Sequence, residues 1–210
     1  MGGVFKMAQT GRAHAAAMEN ALTLPHMISA PAGTVARVSP RDDRVSIGPV
    51  LPDDLALLFV WLNDADAAAS DTTYRPVDCI AYKDWLDQQR QLSQQLLFVI
   101  RTLQPPRSVG FIIFKNLQPV TRSAELGLRI GVEADRGRGH GTRAARLALD
   151  YAWRGLNLHR VSLTVFADNP RAIAAYRRAG FVEEGLLRAA AFTAGRWRDV
   201  VPMAAINPAG

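Results

Sequence analysis

Three glycines at alternate positions, in Arg136-Gly137-Arg138-Gly139-His140-Gly141-Thr142, constrain this chain more than any other stretch. Upstream lies the alternating apolar run Ala124 to Ile130. Downstream, Ala144, Leu147, Ala148 and Tyr151 form one face of a helical pattern, with Arg143, Arg146, Asp150 and Arg154 on the other. A strand, a glycine turn and a helix start in succession make an anion site. Glycine lets backbone N–H groups approach an oxyanion, and the helix N-terminus favours negative charge by roughly 0.3 to 1 kcal/mol. Arg136 and Arg138 can add charge-assisted bonds. The spacing is not the G-x-G-x-x-G of a dinucleotide turn, and no Gly-Lys-Ser/Thr follows, which excludes a Walker loop. A tight β-to-α turn with two solvated arginines is the plainer alternative.

The distribution of charge agrees with an anion site. The whole chain carries +6, yet Arg107 to Arg178 holds thirteen Arg or Lys and five Asp or Glu, a local balance of +8. No basic tract is interleaved with aromatic residues, so a discrete polyanionic small molecule fits better than a nucleic acid. A basic RNA-associated protein is the rival, and it predicts affinity that falls steeply with salt.

With 210 residues, 49% of them hydrophobic, the chain has material for one domain with a proper core and an appendage. A single cysteine, Cys79, excludes an intramolecular disulfide. His14, His26, His140 and His159 show no metal-ligand spacing, so no metal is expected. No apolar run reaches bilayer-spanning length, and the first thirty residues lack the continuous apolar core of a signal peptide. The expected location is cytoplasmic, with no membrane partner.

Residues 1–44 are interrupted by Pro25, Pro31, Gly33 and Pro40 and read as a mobile extension. A functional arm or an oligomerisation strand is the alternative, and Met7, Met18 and Met27 each offer a later start. The domain is expected over 45–206. It opens with a short strand through Val45, Ile47 and Val50, then a helix led by Asp53-Asp54 through Leu55, Leu58, Phe59 and Leu62. A second helix covers about Tyr82 to Leu92. Strand-like runs follow at Leu96 to Leu103, Val109 to Lys115 and Ala124 to Ile130. After the glycine turn and its helix comes a strand, Val161 to Phe166. Asn169 fits an N-cap and Pro170 the first helical position of a helix ending at Gly180. Runs at Phe181 to Ala190 and Trp197 to Ala205 close the domain. The order β-α-α-β-β-β-α-β-α-β-β is an α/β (α+β) arrangement with helices on both faces of a mixed sheet.

Arg136-x-x-Gly139-x-Gly141 resembles the acetyl-CoA pyrophosphate motif of the GNAT superfamily of N-acetyltransferases. Asp168-Asn169-Pro170-Arg171-Ala172-Ile173, followed by Tyr176 and Gly180-Phe181, is similar to that family's next segment at the family's spacing. Glu183-Glu184-Gly185-Leu186-Leu187-Arg188 and Gly195-Arg196-Trp197-Arg198-Asp199-Val200 resemble the closing strands of the branch containing ribosomal-protein-alanine and polyamine acetyltransferases. The likeness spans roughly residues 45 to 206.

The resemblance implies a mostly antiparallel sheet split in a V, where the strand around Leu128 to Val132 diverges from Val161 to Phe166. Acetyl-CoA would lie in the split. Backbone groups near Ile130 and Val132 would meet the pantetheine amides, and Arg136, Gly137, Arg138, Gly139, His140, Gly141 and Thr142 would hold the pyrophosphate. His140 occupies the motif's variable position, where a solvated turn histidine is the bland alternative. Asn169 would bond to the cofactor, although its capping role alone explains it.

The implied reaction is direct acetyl transfer to a primary amine: a protein N-terminus, a polyamine, an amino sugar or an antibiotic. Tyr176 matches the family tyrosine that protonates the departing thiolate. A phenol of reference pKa about 10 can give its proton to a thiolate whose thiol has a pKa near 8.5. Alternatively, Tyr176 packs with Ile173 in the core. Glu125 is the candidate base; a solvated glutamate paired with Arg129, or a water-relayed proton with no dedicated base, fits as well. Trp61, Tyr74 and Trp85 belong to an acceptor pocket or to the core, and Asp64, Asp66 and Asp71 attract a cationic amine or are merely solvated. No histidine neighbours Cys79 in sequence, which speaks against a covalent enzyme intermediate. The expected partners are acetyl-CoA and an amine acceptor, with room for a homodimer. A non-catalytic acyl-CoA sensor or scaffold is the alternative outside the enzyme class.

Overall fold

Alternation along the strands divides the hydrophobic residues between two cores. In the computed structural model, which describes residues 42, 44–65, 76–82, 84 and 95–209, β2 (Leu96–Leu103) sends Phe98 and Ile100 to one face and Leu97 and Val99 to the other. In β3 (Pro106–Gln118), Ile112 and Phe114 oppose Phe111 in the same way. The larger core lies beneath α2 (His140–Arg154) and α3 (Pro170–Ala179). The smaller one lies beneath α1 (Leu55–Leu62), around Leu58, Trp61 and Tyr82. Each fully buried Leu, Ile or Phe contributes about 1.5–3 kcal/mol relative to exposure.

The remaining strands are β1 (Val45–Gly48), β4 (Ser123–Ile130), β5 (Arg160–Phe166), β6 (Val182–Glu183), β7 (Leu187–Thr193) and β8 (Arg196–Ile206). Sheet order is β1-β2-β3-β4-β5-β8-β6, with β7 also pairing β8. Every pairing is antiparallel except β4 with β5. That parallel ladder is short: Ser123↔Arg160, Ala124↔Val161 and Glu125↔Ser162. Beyond Glu125 the two strands part, so the sheet splits in a V as a mixed, mostly antiparallel α/β arrangement.

Several boundaries differ from expectation. β1 stops at Gly48, because Pro49 has no N–H to continue the ladder. β3 is longer than Val109 to Lys115: its pairing resumes at Gln118↔Ser123 after an irregularity that includes Asn116 at φ 52°. The run from Phe181 to Ala190 is two strands. Phe181 N–H donates to the Tyr176 carbonyl and finishes α3, whose C-cap Gly180 adopts φ 113°, so the strand cannot begin there. The second expected helix lies mostly outside the described residues, as does the 1–44 extension except for Asp42 and Arg44.

One polar cluster braces the smaller core. Asp54 and Arg101 are both buried and ion-paired. Asp54 also accepts from Ser108 Oγ at 2.5 Å and Leu51 N at 2.7 Å, while Arg101 Nη2 donates to the Pro49 carbonyl at 3.0 Å. Tyr82 donates to the Leu55 carbonyl at 2.8 Å; burial, reinforced by the Asp54 charge, pushes its pKa up to about 12.

Candidate active site

Where β4 and β5 part, a cleft of about 410 Å³ opens, bounded by Leu128 and Ile130 on one strand and Thr164 and Val165 on the other. The glycine turn closes one end. α3 lies along it, presenting Asn169 and Tyr176.

The turn is built from its anchor outward. A short 3-10 turn, Glu133–Asp135, follows β4, and Asp135 is 1% exposed. Arg107 on β3 grips that carboxylate, Nη1 to Oδ2 at 2.6 Å with a second contact from Nη2. This hydrogen-bonded pair holds the Asp135 carboxyl below its usual range against the opposing effect of burial. Gly137 and Gly139 then adopt φ 77° and 82°, the left-handed region that disfavours a side chain. Gly139 caps α2, its carbonyl accepting from Arg143 N at 3.1 Å. The N–H groups of His140, Gly141 and Thr142 precede that first intrahelical bond and have no acceptor within the helix. Gly141 sits over Leu128 and Ile130, at 3.6 and 3.8 Å from where a Cβ would be, so space alone does not require glycine there.

Ile130, Arg136, Gly137, Gly139, Gly141 and Thr142 all line the cleft. Arg136, however, folds back: its Nε donates to the Ile130 carbonyl at 3.3 Å and its Nη2 lies 3.8 Å from Asp64. Arg138 is exposed outside the lining. Val132 is also outside it, because its carbonyl accepts from Asp135 N at 3.0 Å to start the 3-10 turn. His140 is half-buried at the head of α2, and its Nδ1 is buried without a hydrogen-bond partner among the described residues. Burial lowers its pKa; Asp135 opposes this, and Arg107, Arg138 and Arg143 reinforce it.

Asn169 caps α3 by accepting from Ala172 N at 3.1 Å, as expected, and it also lines the cleft. Tyr176 is half-buried, edge-on to Phe181 at 5.7 Å, and lines the cleft. Glu125 does not. It sits at the closed apex of the V, where both edges of β4 are paired, and accepts from Asn116 Nδ2 at 3.3 Å. Alternation holds along β4, but Glu125 lies on the paired side of the point where the strands separate.

Trp61 belongs to the smaller core: it is 3% exposed, and a Cβ on Gly131 would meet its ring at 2.3 Å. Its carbonyl accepts from Arg129 Nη1 at 2.8 Å. Tyr74, Trp85, Asp66 and Asp71 lie outside the described residues. Cys79 is exposed and is not part of the cleft lining. Among the described residues, no group of three or more His, Cys, Asp or Glu is placed to share a metal ion, and no helix is long and apolar enough to cross a membrane.

Four arginines of the lining are not among the site residues expected from sequence: Arg143, Arg146, Arg171 and Arg178. Their i, i+3 and i, i+7 spacings were available as a signal. Arg143 Nη1 is held by Asp42 at 2.9 Å. Burial would raise the Asp42 pKa, but the N–H groups of Arg44 and Val45 and the Arg143 guanidinium together lower it. Helix-start amides at one end, parted strand edges along the middle and guanidinium groups around the rim are a donor set that fits the nucleotide and amide arm of acetyl-CoA.

An acetyltransferase (GNAT) domain model matches residues 44–182. The chain belongs to the GNAT acetyltransferase family. Among relatives of this GNAT chain, spermidine N(1)-acetyltransferase of Vibrio cholerae is 37% identical over 106 residues, covering 50% of this chain and 60% of the relative. The chain thus spans under two thirds of that enzyme's length in sequence. The Bacillus subtilis protein named "Putative ribosomal N-acetyltransferase YdaF" is 30% identical over 168 residues, covering 80% of this chain and 87% of that one. The crystal structure of the Vibrio cholerae spermidine N-acetyltransferase in complex with CoA and spermine superimposes with a TM-score of 0.72 at 25% identity, covering 79% of this chain and 96% of that one.

Proposed function

We propose that this GNAT domain transfers an acetyl group from acetyl-CoA directly to a primary amine, with a polyamine as the leading acceptor class. The observation that carries this reading is one cleft combining a backbone anion cradle, an unpaired strand edge and a tyrosine on the facing helix. When bound, acetyl-CoA supplies the activated acyl group. The amides of His140 to Thr142 bind its diphosphate, and the edge of β4 at Leu128 to Ile130 aligns its amide arm. Backbone N–H on that edge polarises the thioester carbonyl as charge develops on oxygen. Tyr176 donates a proton to the leaving sulfur. The amine's proton leaves through water, because Glu125 at the apex lies outside the cleft lining. Leu128, Ile130 and Val165 give the cleft apolar walls beside these polar groups.

Likeness to spermidine acetyltransferases supports the polyamine acceptor. A protein N-terminus is the second reading, supported by the likeness to YdaF over 87% of that protein's length. The test is calorimetric titration with acetyl-CoA, followed by thiol release with spermidine, spermine, N-terminal peptides, amino sugars and aminoglycosides. Binding with turnover on a polyamine is expected. Binding without turnover on any amine would support a sensor instead, and no binding would overturn the reading.

A further inference from the structure

Two of the arginines lining the cleft are answered by a carboxylate, Arg136 by Asp64 and Arg143 by Asp42, and Arg129 donates to the Trp61 carbonyl. The other three are not answered. Among the described residues, Arg146 on α2 and Arg171 and Arg178 on α3 have no carboxylate at ion-pair distance, although Arg177 beside them does. Arg146 is nevertheless held in place: its Nε and Nη2 donate to the Arg178 carbonyl at 3.1 and 2.6 Å, closing the C-terminal end of α3. A guanidinium carries five N–H donors, so three remain for another acceptor. Arg171 and Arg178 are seven residues apart on one face of α3, about 10 Å along its axis. Arg146 lies one helical turn beyond Thr142, past the amides of the glycine turn.

The unanswered charge therefore runs along the α2–α3 groove, continuous with the diphosphate cradle but outside it. Solvation alone can carry three separate surface arginines, but here one of them is fixed on the backbone of another. A fixed guanidinium beside other unneutralised ones matches a compact dianion. We propose that Arg146 and Arg178, with Arg171, form a second anion subsite that binds a phosphate monoester on the nucleotide end of the acetyl donor. This rests on the acetyl-CoA reading above and makes donor choice depend on that phosphate. A donor that keeps the diphosphate and lacks the monoester should bind about 10- to 100-fold more weakly, the range of charge-assisted hydrogen bonds.

The probes are acetyl-CoA and acetyl-dephospho-CoA, titrated calorimetrically into the full chain and into Arg178→Ala, Arg178→Lys and the double variant R146Q/R178A, with folding checked by circular dichroism. Wild type should prefer acetyl-CoA. The double variant should bind both donors alike, at the wild-type level for acetyl-dephospho-CoA, and Arg178→Lys should keep part of the preference. Arg177→Ala, adjacent but paired with Glu183, should keep all of it. Equal binding of the two donors by wild type, or an equal loss for both in folded Arg178→Ala, would overturn the subsite while leaving the proposed activity standing. Failure of wild type to bind either donor removes the acetyl-CoA reading, and the subsite with it.

Discussion

Asp54 and Tyr176 lie in regions that treat their polar groups in opposite ways. Around Asp54, under β1 to β3, a buried carboxylate meets Arg101, Ser108 and the Leu51 amide, so its acceptors are filled from within the chain, while Arg101 Nη1 alone stays buried without a partner among the described residues of that cluster. Around Tyr176, the edge of β4 that faces β5 is unpaired beyond Glu125, the first amides of α2 have no helical acceptor, and among the described residues Arg171 and Arg178 have no carboxylate at ion-pair distance. A buried polar group left unsatisfied costs about 1–3 kcal/mol, so groups left open in a folded chain point to where water or a ligand completes them. The first region is a brace, and the proposed function makes the second a receptor.

That contrast can be broken from either side. Asp54→Ala strands a buried guanidinium and should cost about 3–5 kcal/mol in denaturant unfolding, while the folded fraction keeps its acetyl-CoA affinity. Lost affinity in protein shown to be folded would mean that the brace also shapes the cleft. Tyr176→Phe should do the reverse, lowering turnover by about 10²-fold with the unfolding midpoint and acetyl-CoA binding unchanged. Unaltered turnover would return Tyr176 to packing against Phe181. Gly139→Val forces a β-branched residue to φ 82°, a strain of about 1–2 kcal/mol, in open space where a Cβ meets nothing within 4 Å. The fold should survive and acetyl-CoA affinity fall about tenfold, read by calorimetry.

The smallest effect concerns His140. Its pKa is lowered in the folded state, chiefly by burial, so between that value and the unfolded value of about 6.5 the unfolded chain binds the extra proton. Stability from this group is present above about pH 6.5 and declines as pH falls through that range. His140→Gln should flatten thermal stability against pH below 6.5, and an unchanged profile would assign the slope to other groups.

Local pattern carried much of this architecture. The alternation of Leu126, Leu128 and Ile130, the capping pair Asn169-Pro170 and the glycine turn each depend on neighbours within a few residues, and each is found where its pattern predicts. What escaped depends on separation. Arg107 anchors Asp135 from 28 positions away, and Arg146 reaches the Arg178 carbonyl across 32. Glu125 sits on the expected face, but where β4 leaves β5 is set by the packing of whole strands, which alternation does not encode. The break between β6 and β7 was hidden because Val182, Leu186 and Leu187 keep an apolar rhythm although all three are exposed.

A recognition surface made of main-chain amides has an evolutionary consequence. Most point mutations replace a side chain, and the N–H of residues 140 to 142 survives nearly all of them; only a proline, or loss of the turn at Gly137 or Gly139, deletes it. On the proposed reading, the hold on the diphosphate is therefore insulated from drift, whereas contacts assembled from side chains change with every substitution. Lineages that share this turn are free to exchange one amine for another without relearning how to hold the donor.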